Sequence, residues 1–170
     1  MTTDADRYLD EGAQRGIAVE RIRELSLGAK LVLAGATFLF FSLFLTWQYL
    51  EIDYGPAGTG TLLLDGWDAP GLAIGFLTLA LLTLAAVVYV SDVEISPDVP
   101  WELVTLVLSS VIFVLVLAKN LSDRDSAWAS YLAIVIAGII VVGAFLDWRG
   151  IEPRRRRQLV ARPRRFRRGV

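Results

Sequence analysis

Four long windows of this chain carry no charged side chain at all: 31–50, 69–90, 103–118 and 126–146. A hydrocarbon layer about 30 Å thick is crossed by roughly 20 helical residues. Three windows reach that length directly. The third falls short, but Trp101 at one end and Lys119 at the other extend it, because long amphipathic side chains reach back to an interface. Helices buried in a soluble bundle would keep a polar stripe for water, and these windows have none. They predict spans over about 30–48, 69–90, 101–119 and 126–147. The expected fold class is therefore all-α membrane, a four-transmembrane-helix bundle.

The residue types that are missing limit the chemistry. The chain has no cysteine and no histidine. Disulfides, thiolate catalysis and Cys-ligated metals are excluded. The usual general base and the commonest metal ligand are absent too. No span has an ionisable group near its centre, where such groups mark ion paths, proton relays or substrate sites. The expectation is a non-enzymatic protein with no cofactor and no metal site.

Residues 1–29 form a polar segment of mixed charge. Glu11 and Arg15 stand at the i,i+4 spacing of a helical ion pair. Leu9, Ala13, Ile17, Ile22 and Leu25 line one face, so the segment reads either as a helix lying on the membrane surface or as a loosely ordered tail. Trp47-Gln48-Tyr49 after the first apolar run is not a small-x-small cleavage site, so no cleaved signal peptide is expected. Residues 48–68 hold Glu51, Asp53, Asp65 and Asp68 and no basic residue. Leu50, Ile52 and Tyr54 alternate with Glu51 and Asp53, Leu62 and Leu64 alternate with Thr61, Leu63 and Asp65, and Gly55-Pro56-Ala57-Gly58-Thr59-Gly60 separates the two runs. That pattern predicts a β-hairpin between helices 1 and 2, with Leu50, Ile52, Leu62 and Leu64 on its membrane side. Asp68 is the expected N-cap of the second span, with Pro70 in its first turn. The six-residue linker 120–125 predicts that the last two spans form an antiparallel pair.

Trp47, Trp67, Trp101, Trp128 and Trp148 each fall at the end of an apolar run, the pattern of an aromatic belt at headgroup depth, and all five are expected to be interfacial anchors. The two termini hold fifteen of the seventeen Lys and Arg residues. The positive-inside bias then puts both termini in the cytoplasm and the hairpin outside. The 149–170 tail carries Arg154, Arg155, Arg156, Arg157, Arg162, Arg164, Arg165, Arg167 and Arg168. It is read as a topology anchor against anionic lipid, with phosphate neutralisation on a nucleic acid as the lesser reading.

Several features have both a bland and a sharp reading. Ser109, Ser110, Thr37, Thr78 and Thr83 lie within spans, where hydroxyls bond back to their own helix or across to another; packing is preferred over a pore. Gly71 and Gly75, the series Ala129, Ala133 and Ala137, and Gly138 and Gly143 permit close helix approach. Bundle packing is preferred there over self-association. The hairpin carboxylates match no EF-hand spacing and are read as a solvated acidic surface rather than a Ca²⁺ site.

The stretch Phe44-Leu45-Thr46-Trp47, followed by Gly66-Trp67, resembles a family of uncharacterised small bacterial four-span membrane proteins from high-GC organisms. That family has a Phe-Leu-Pro-Trp signature at this place, and Thr46 stands where it has Pro. The resemblance covers roughly 25–90 and implies a bacterial plasma-membrane location but no activity. The layout is also similar to the claudin plan, with a β-segment after the first span but without its Gly-Leu-Trp and paired-Cys motif. The expected role is a non-catalytic structural or accessory subunit, packed with itself or another membrane protein. The alternative is a small channel or carrier formed by oligomerisation.

Overall fold

The computed structural model describes residues 25–91, 99–123 and 125–150. The amino-terminal surface-helix reading, the acidic 92–98 linker and the Arg-rich tail beyond Gly150 lie outside the described residues. In chain order the elements are α1 (Leu27–Ser42), β1 (Thr46–Asp53), a 3-10 turn (Gly55–Ala57), β2 (Thr59–Asp65), α2 (Ala69–Ala85) prolonged by a π-turn (Ala86–Val90), α3 (Trp101–Ser122) and α4 (Trp128–Trp148).

Local chemistry sets these boundaries. Ser26 starts α1 by accepting a hydrogen bond from the Ala29 amide at 3.0 Å, which satisfies one of the free donors of the first turn. Asp68 does the same for α2, accepting from Gly71 N–H at 3.0 Å with Pro70 in the first turn. The first helix ends earlier than the apolar window suggests. Expected to run to about residue 48, it stops at Ser42. The amides of Leu43, Phe44 and Leu45 then bond three residues back rather than four, a tightening typical of helix ends. The apolar run continues through this turn into β1, so hydrophobicity alone could not locate the exit. α2 (with its π-turn), α3 and α4 are each long and apolar enough to cross a membrane; α1 is apolar but has 16 residues.

The helices close a ring. α1 packs on α4, α4 on α3, α3 on α2, and α2 on α1. Small and medium residues fill the centre, among them Val32, Ala36, Leu39, Leu81, Ile112, Ala133, Ala137 and Ile140. Further apolar side chains point outward: Phe38, Phe41, Phe76, Val107, Val114, Val135 and Val142 are all exposed. The most extensive helix pairing is between α1 and α4. A Cβ at Gly28 would come within 2.6 Å of the Gly143 carbonyl, and one at Gly143 within 2.7 Å of Leu31 Cβ. These glycines let the backbones touch, which is how small residues promote helix association in lipid.

The alternation around Gly55–Gly60 does form an antiparallel hairpin, pairing Leu50 with Leu62, Tyr49 with Leu63 and Ile52 with Gly60. Directly opposed residues share a face, so Leu50, Ile52, Leu62 and Leu64 lie together. The strands begin earlier than expected, at Thr46 and Thr59, and the register shifts between Thr46 and Gln48, around Trp47. β1 is bonded on its other edge as well: Tyr49 N–H donates to Asp125 O at 3.0 Å and Ala127 N–H to Trp47 O at 2.7 Å. The α3–α4 loop thus fastens the hairpin to the bundle.

Candidate functional site

The strongest polar constellation lies where the hairpin meets the helix ends. Lys119, in the last turn of α3, is almost wholly enclosed, its side chain 1% exposed. Its Nζ donates to Asp68 Oδ2 at 2.6 Å and to Asp123 Oδ2 at 3.1 Å, and it stands 5.6 Å from the Trp47 ring centroid. Removing an ammonium from water costs several kcal/mol. Two carboxylates offset that cost, and the indole face adds a cation–π attraction. Asp123 is also enclosed, whereas the Asp68 side chain is 41% exposed and keeps contact with solvent. One lysine therefore joins the start of α2, the end of α3 and the bulge of β1.

Trp47 supplies the roof. It is 0% exposed, and its Nε1 donates to the Ser42 carbonyl at 2.7 Å, so its ring faces protein on every side. Gly66 permits this: a Cβ there would come within 2.9 Å of Trp47 Nε1 and of Leu43 Cα. Its amide donates to Leu43 O at 2.8 Å. Trp67 packs edge-on against Phe40 and Phe44, over Gly75, where a Cβ would meet the ring at 2.6 Å. Gly71 lies against the Gly66 carbonyl with no room for a side chain. Gly71 and Gly75 thus serve the hairpin junction rather than a helix crossing. Beside this junction Asn120 Nδ2 donates to Ser130 Oγ at 2.7 Å, linking α3 to α4.

A second cluster ties the opposite end. Asp147, near the end of α4, accepts from Ser26 Oγ at 3.0 Å and from Tyr89 OH at 2.6 Å. The cap of α1 and the π-turn of α2 are joined through one carboxylate. Sequence reading did not single out Asp147 or the Lys119 clamp. The i,i+4 spacing of Lys119 and Asp123 was a visible signal for the second, but Asp68 stands 51 residues away from Lys119.

The other residues singled out in the sequence fall as follows. Trp67 and Trp101 are half-buried, and Trp128 and Trp148 are exposed at opposite ends of α4. The hydroxyls of Thr37, Thr83, Ser109 and Ser110 bond to carbonyls four residues back in their own helices. Ala129, Ala133, Ala137 and Gly143 are buried inside the bundle. Thr78 Oγ1 and Trp67 Nε1 are buried with no hydrogen-bond partner among the described residues. No group of three or more metal-ligating side chains occurs among those residues. The arginines at 154–157, 162, 164, 165, 167 and 168 lie outside the described residues. No family model matches the chain, and neither a curated protein nor a solved structure matches it.

Proposed function

We propose that this chain is a four-span integral protein of the bacterial plasma membrane, both termini cytoplasmic and the hairpin outside, acting as a non-catalytic structural or accessory subunit. The observation that carries the reading is the apolar surface that the bundle turns outward. Alanines, valines, leucines and isoleucines fill the centre, and Phe38, Phe41, Phe76, Val107, Val114, Val135 and Val142 are exposed around it. An outward surface of that kind is stable against acyl chains and unfavourable against water. The polar clusters of Lys119 and Asp147 occupy the two ends of the bundle. α1 spans about 24 Å at 1.5 Å per residue, and the apolar turn through Leu45 lengthens its passage.

An accessory role is supported by how completely the polar groups are occupied. Both carboxylates near Lys119 are engaged with it, and most span hydroxyls are turned back onto their own helices. The resemblance of Phe44-Leu45-Thr46-Trp47 to the small bacterial membrane proteins agrees with this reading. The tail arginines then hold the inner leaflet by contact with anionic lipid. A single Cys at Thr59 is expected to react with an impermeant thiol reagent in intact cells, and one at Gln158 only after permeabilisation; the reverse pattern overturns the orientation. Purification in mild detergent checks the role, which requires a stable complex with a second copy or another membrane protein. Thr78 favours the second reading, a channel or carrier formed by oligomerisation. That reading requires current in reconstituted bilayers that changes in Thr78→Val.

A further inference from the structure

The hairpin is hydrogen-bonded unequally. Among the described residues, β1 has partners on both edges and β2 on one. Antiparallel ladders alternate between pairs that bond to each other and pairs that turn their backbone groups outward. Tyr54 N–H donates to Gly58 O at 2.8 Å, which fixes the phase. Stepping two residues at a time along the register, Ile52/Gly60, Leu50/Leu62 and Gln48/Leu64 are the inward-bonded pairs. Asp53/Thr59, Glu51/Thr61 and Tyr49/Leu63 face away from each other. On the β1 side this is directly visible, because Tyr49 N–H is the donor to Asp125 O. On the β2 side, Thr59, Thr61 and Leu63 turn their amides and carbonyls out of the sheet, and nothing among the described residues pairs with them.

This edge lacks the devices that keep strand edges apart. Residues 59–65 contain no lysine and no proline, no register shift falls between Gln48/Leu64 and Asp53/Thr59, and the one charge, Asp65, stands at the end. Leu62 and Leu63 are 47% and 60% exposed. We infer that β2 pairs antiparallel with β2 of a second copy, centred on Leu62, to give a continuous sheet across a twofold dimer. The inference rests on the membrane reading above, because copies in one bilayer present this edge at the same height. The strand is self-complementary in that register. Leu62 meets Leu62 of the second copy, Thr61 meets Leu63, Gly60 meets Leu64, and Thr59 meets Asp65, so no like charges oppose. Glu51 and Asp53 lie on the two outer strands. Three strand spacings, about 14 Å, separate those strands, beyond a screening length of about 8 Å at physiological salt.

The chain has no cysteine, so a placed thiol reports unambiguously on the full-length protein in its membrane. In the proposed register Leu62 forms a non-hydrogen-bonded pair with its own copy, about 4.5 Å between Cα atoms, which falls in the range a disulfide bridges. The two Thr59 positions are about 20 Å apart along the strands. Mild oxidation should therefore link Leu62→Cys into a dimer and leave Thr59→Cys monomeric. Adding Leu63→Pro should abolish the Leu62→Cys dimer, since it deletes an amide that the hairpin itself does not use, and proline is tolerated at a strand edge. Adding Leu63→Ala should leave the dimer in place. Equal linking at both thiols, a monomeric Leu62→Cys, a dimer that survives Leu63→Pro, or a link to a different protein would each overturn the self-pairing. If Leu62→Cys stays monomeric while Thr59→Cys is labelled from outside, the membrane reading stands and the dimer falls. Failure of the outside label would fall on the topology.

Discussion

Lys119 Nζ lies 2.6 Å from Asp68 Oδ2, although the two residues are 51 positions apart, one in the last turn of α3 and the other capping α2. The contact is asymmetric. The lysine is sealed from solvent and the aspartate is not, so the free energy at stake depends chiefly on how the ammonium is held. Asp68→Asn keeps the helix cap and leaves Asp123 in place, and should cost about 1 kcal/mol, the scale of a solvent-screened pair. Asp68→Asn combined with Asp123→Asn strands a buried charge and should cost about 3 kcal/mol or more. Adding Lys119→Met to that double variant should restore most of the loss. Thermal unfolding in detergent, followed by helicity, measures all three; a triple variant no more stable than the double would contradict the clamp.

The α1–α4 contact makes a contrasting prediction for three glycines. Alanine is favoured over glycine in a helix by about 0.5–1 kcal/mol. At Gly138 the nearest side-chain atom to a new Cβ is 3.8 Å away, so Gly138→Ala should gain roughly that amount. At Gly28 and Gly143 the obstruction includes a backbone carbonyl within 2.6 and 2.9 Å, which cannot rotate aside. Both alanine variants should lose about 1–3 kcal/mol through overpacking. Unfolding midpoints that rise for all three would show that the helices do not approach this closely.

Five tryptophans with one sequence context differ in consequence. Trp47 is enclosed, covers Lys119 and donates to Ser42 O, so Trp47→Ala should cost about 3–5 kcal/mol. Trp128 is 61% exposed, and Trp128→Ala should change stability in detergent by no more than about 0.5 kcal/mol. Equal losses at the two positions would argue against the burial of Trp47.

For the tail, each basic residue near an anionic surface contributes about 1 kcal/mol before the cost of ordering the chain. A peptide of residues 149–170 should bind vesicles containing anionic lipid, bind neutral vesicles far less, and lose affinity steeply as salt rises. Tighter binding to RNA than to anionic vesicles at equal salt would favour the nucleic-acid reading.

The helices after the hairpin were legible because punctuation agrees with hydrophobicity. Asp68 and Pro70 start α2, Pro100 precedes α3, and Trp148 closes α4 just ahead of the basic tail. The hairpin was legible because period-two alternation flanks a Gly/Pro turn. The end of α1 was not, since Leu43, Phe44 and Leu45 are as apolar as the helix before them and no glycine or proline marks the turn. The aromatic-belt pattern treated Trp47 like the other four, yet the bulge of β1 folds it inward. Long-range pairings such as Lys119 with Asp68, or Asp147 with Tyr89, leave no local trace. Gly28 and Gly35 carry no more signal in the sequence than Gly138, though only the first two meet close contacts across the α1–α4 interface.

The ring of helices closes through its first and last members, and this orders biogenesis. α1 is synthesised first, but its most extensive partner, α4, comes last; the bond from Ser26 to Asp147 spans 121 positions. Until α4 is made, the glycine face of α1 lacks the Gly143 backbone that it meets in the fold, and the second edge of β1 waits for Asp125 and Ala127. A ribosome that stops before residue 128 therefore releases a chain whose first helix is complete but lacks its most extensive partner, α4. The synthesis of α4, rather than the formation of any early segment, closes this ring, and a chain cut short before it leaves the Gly28 and Gly35 face of α1 uncovered.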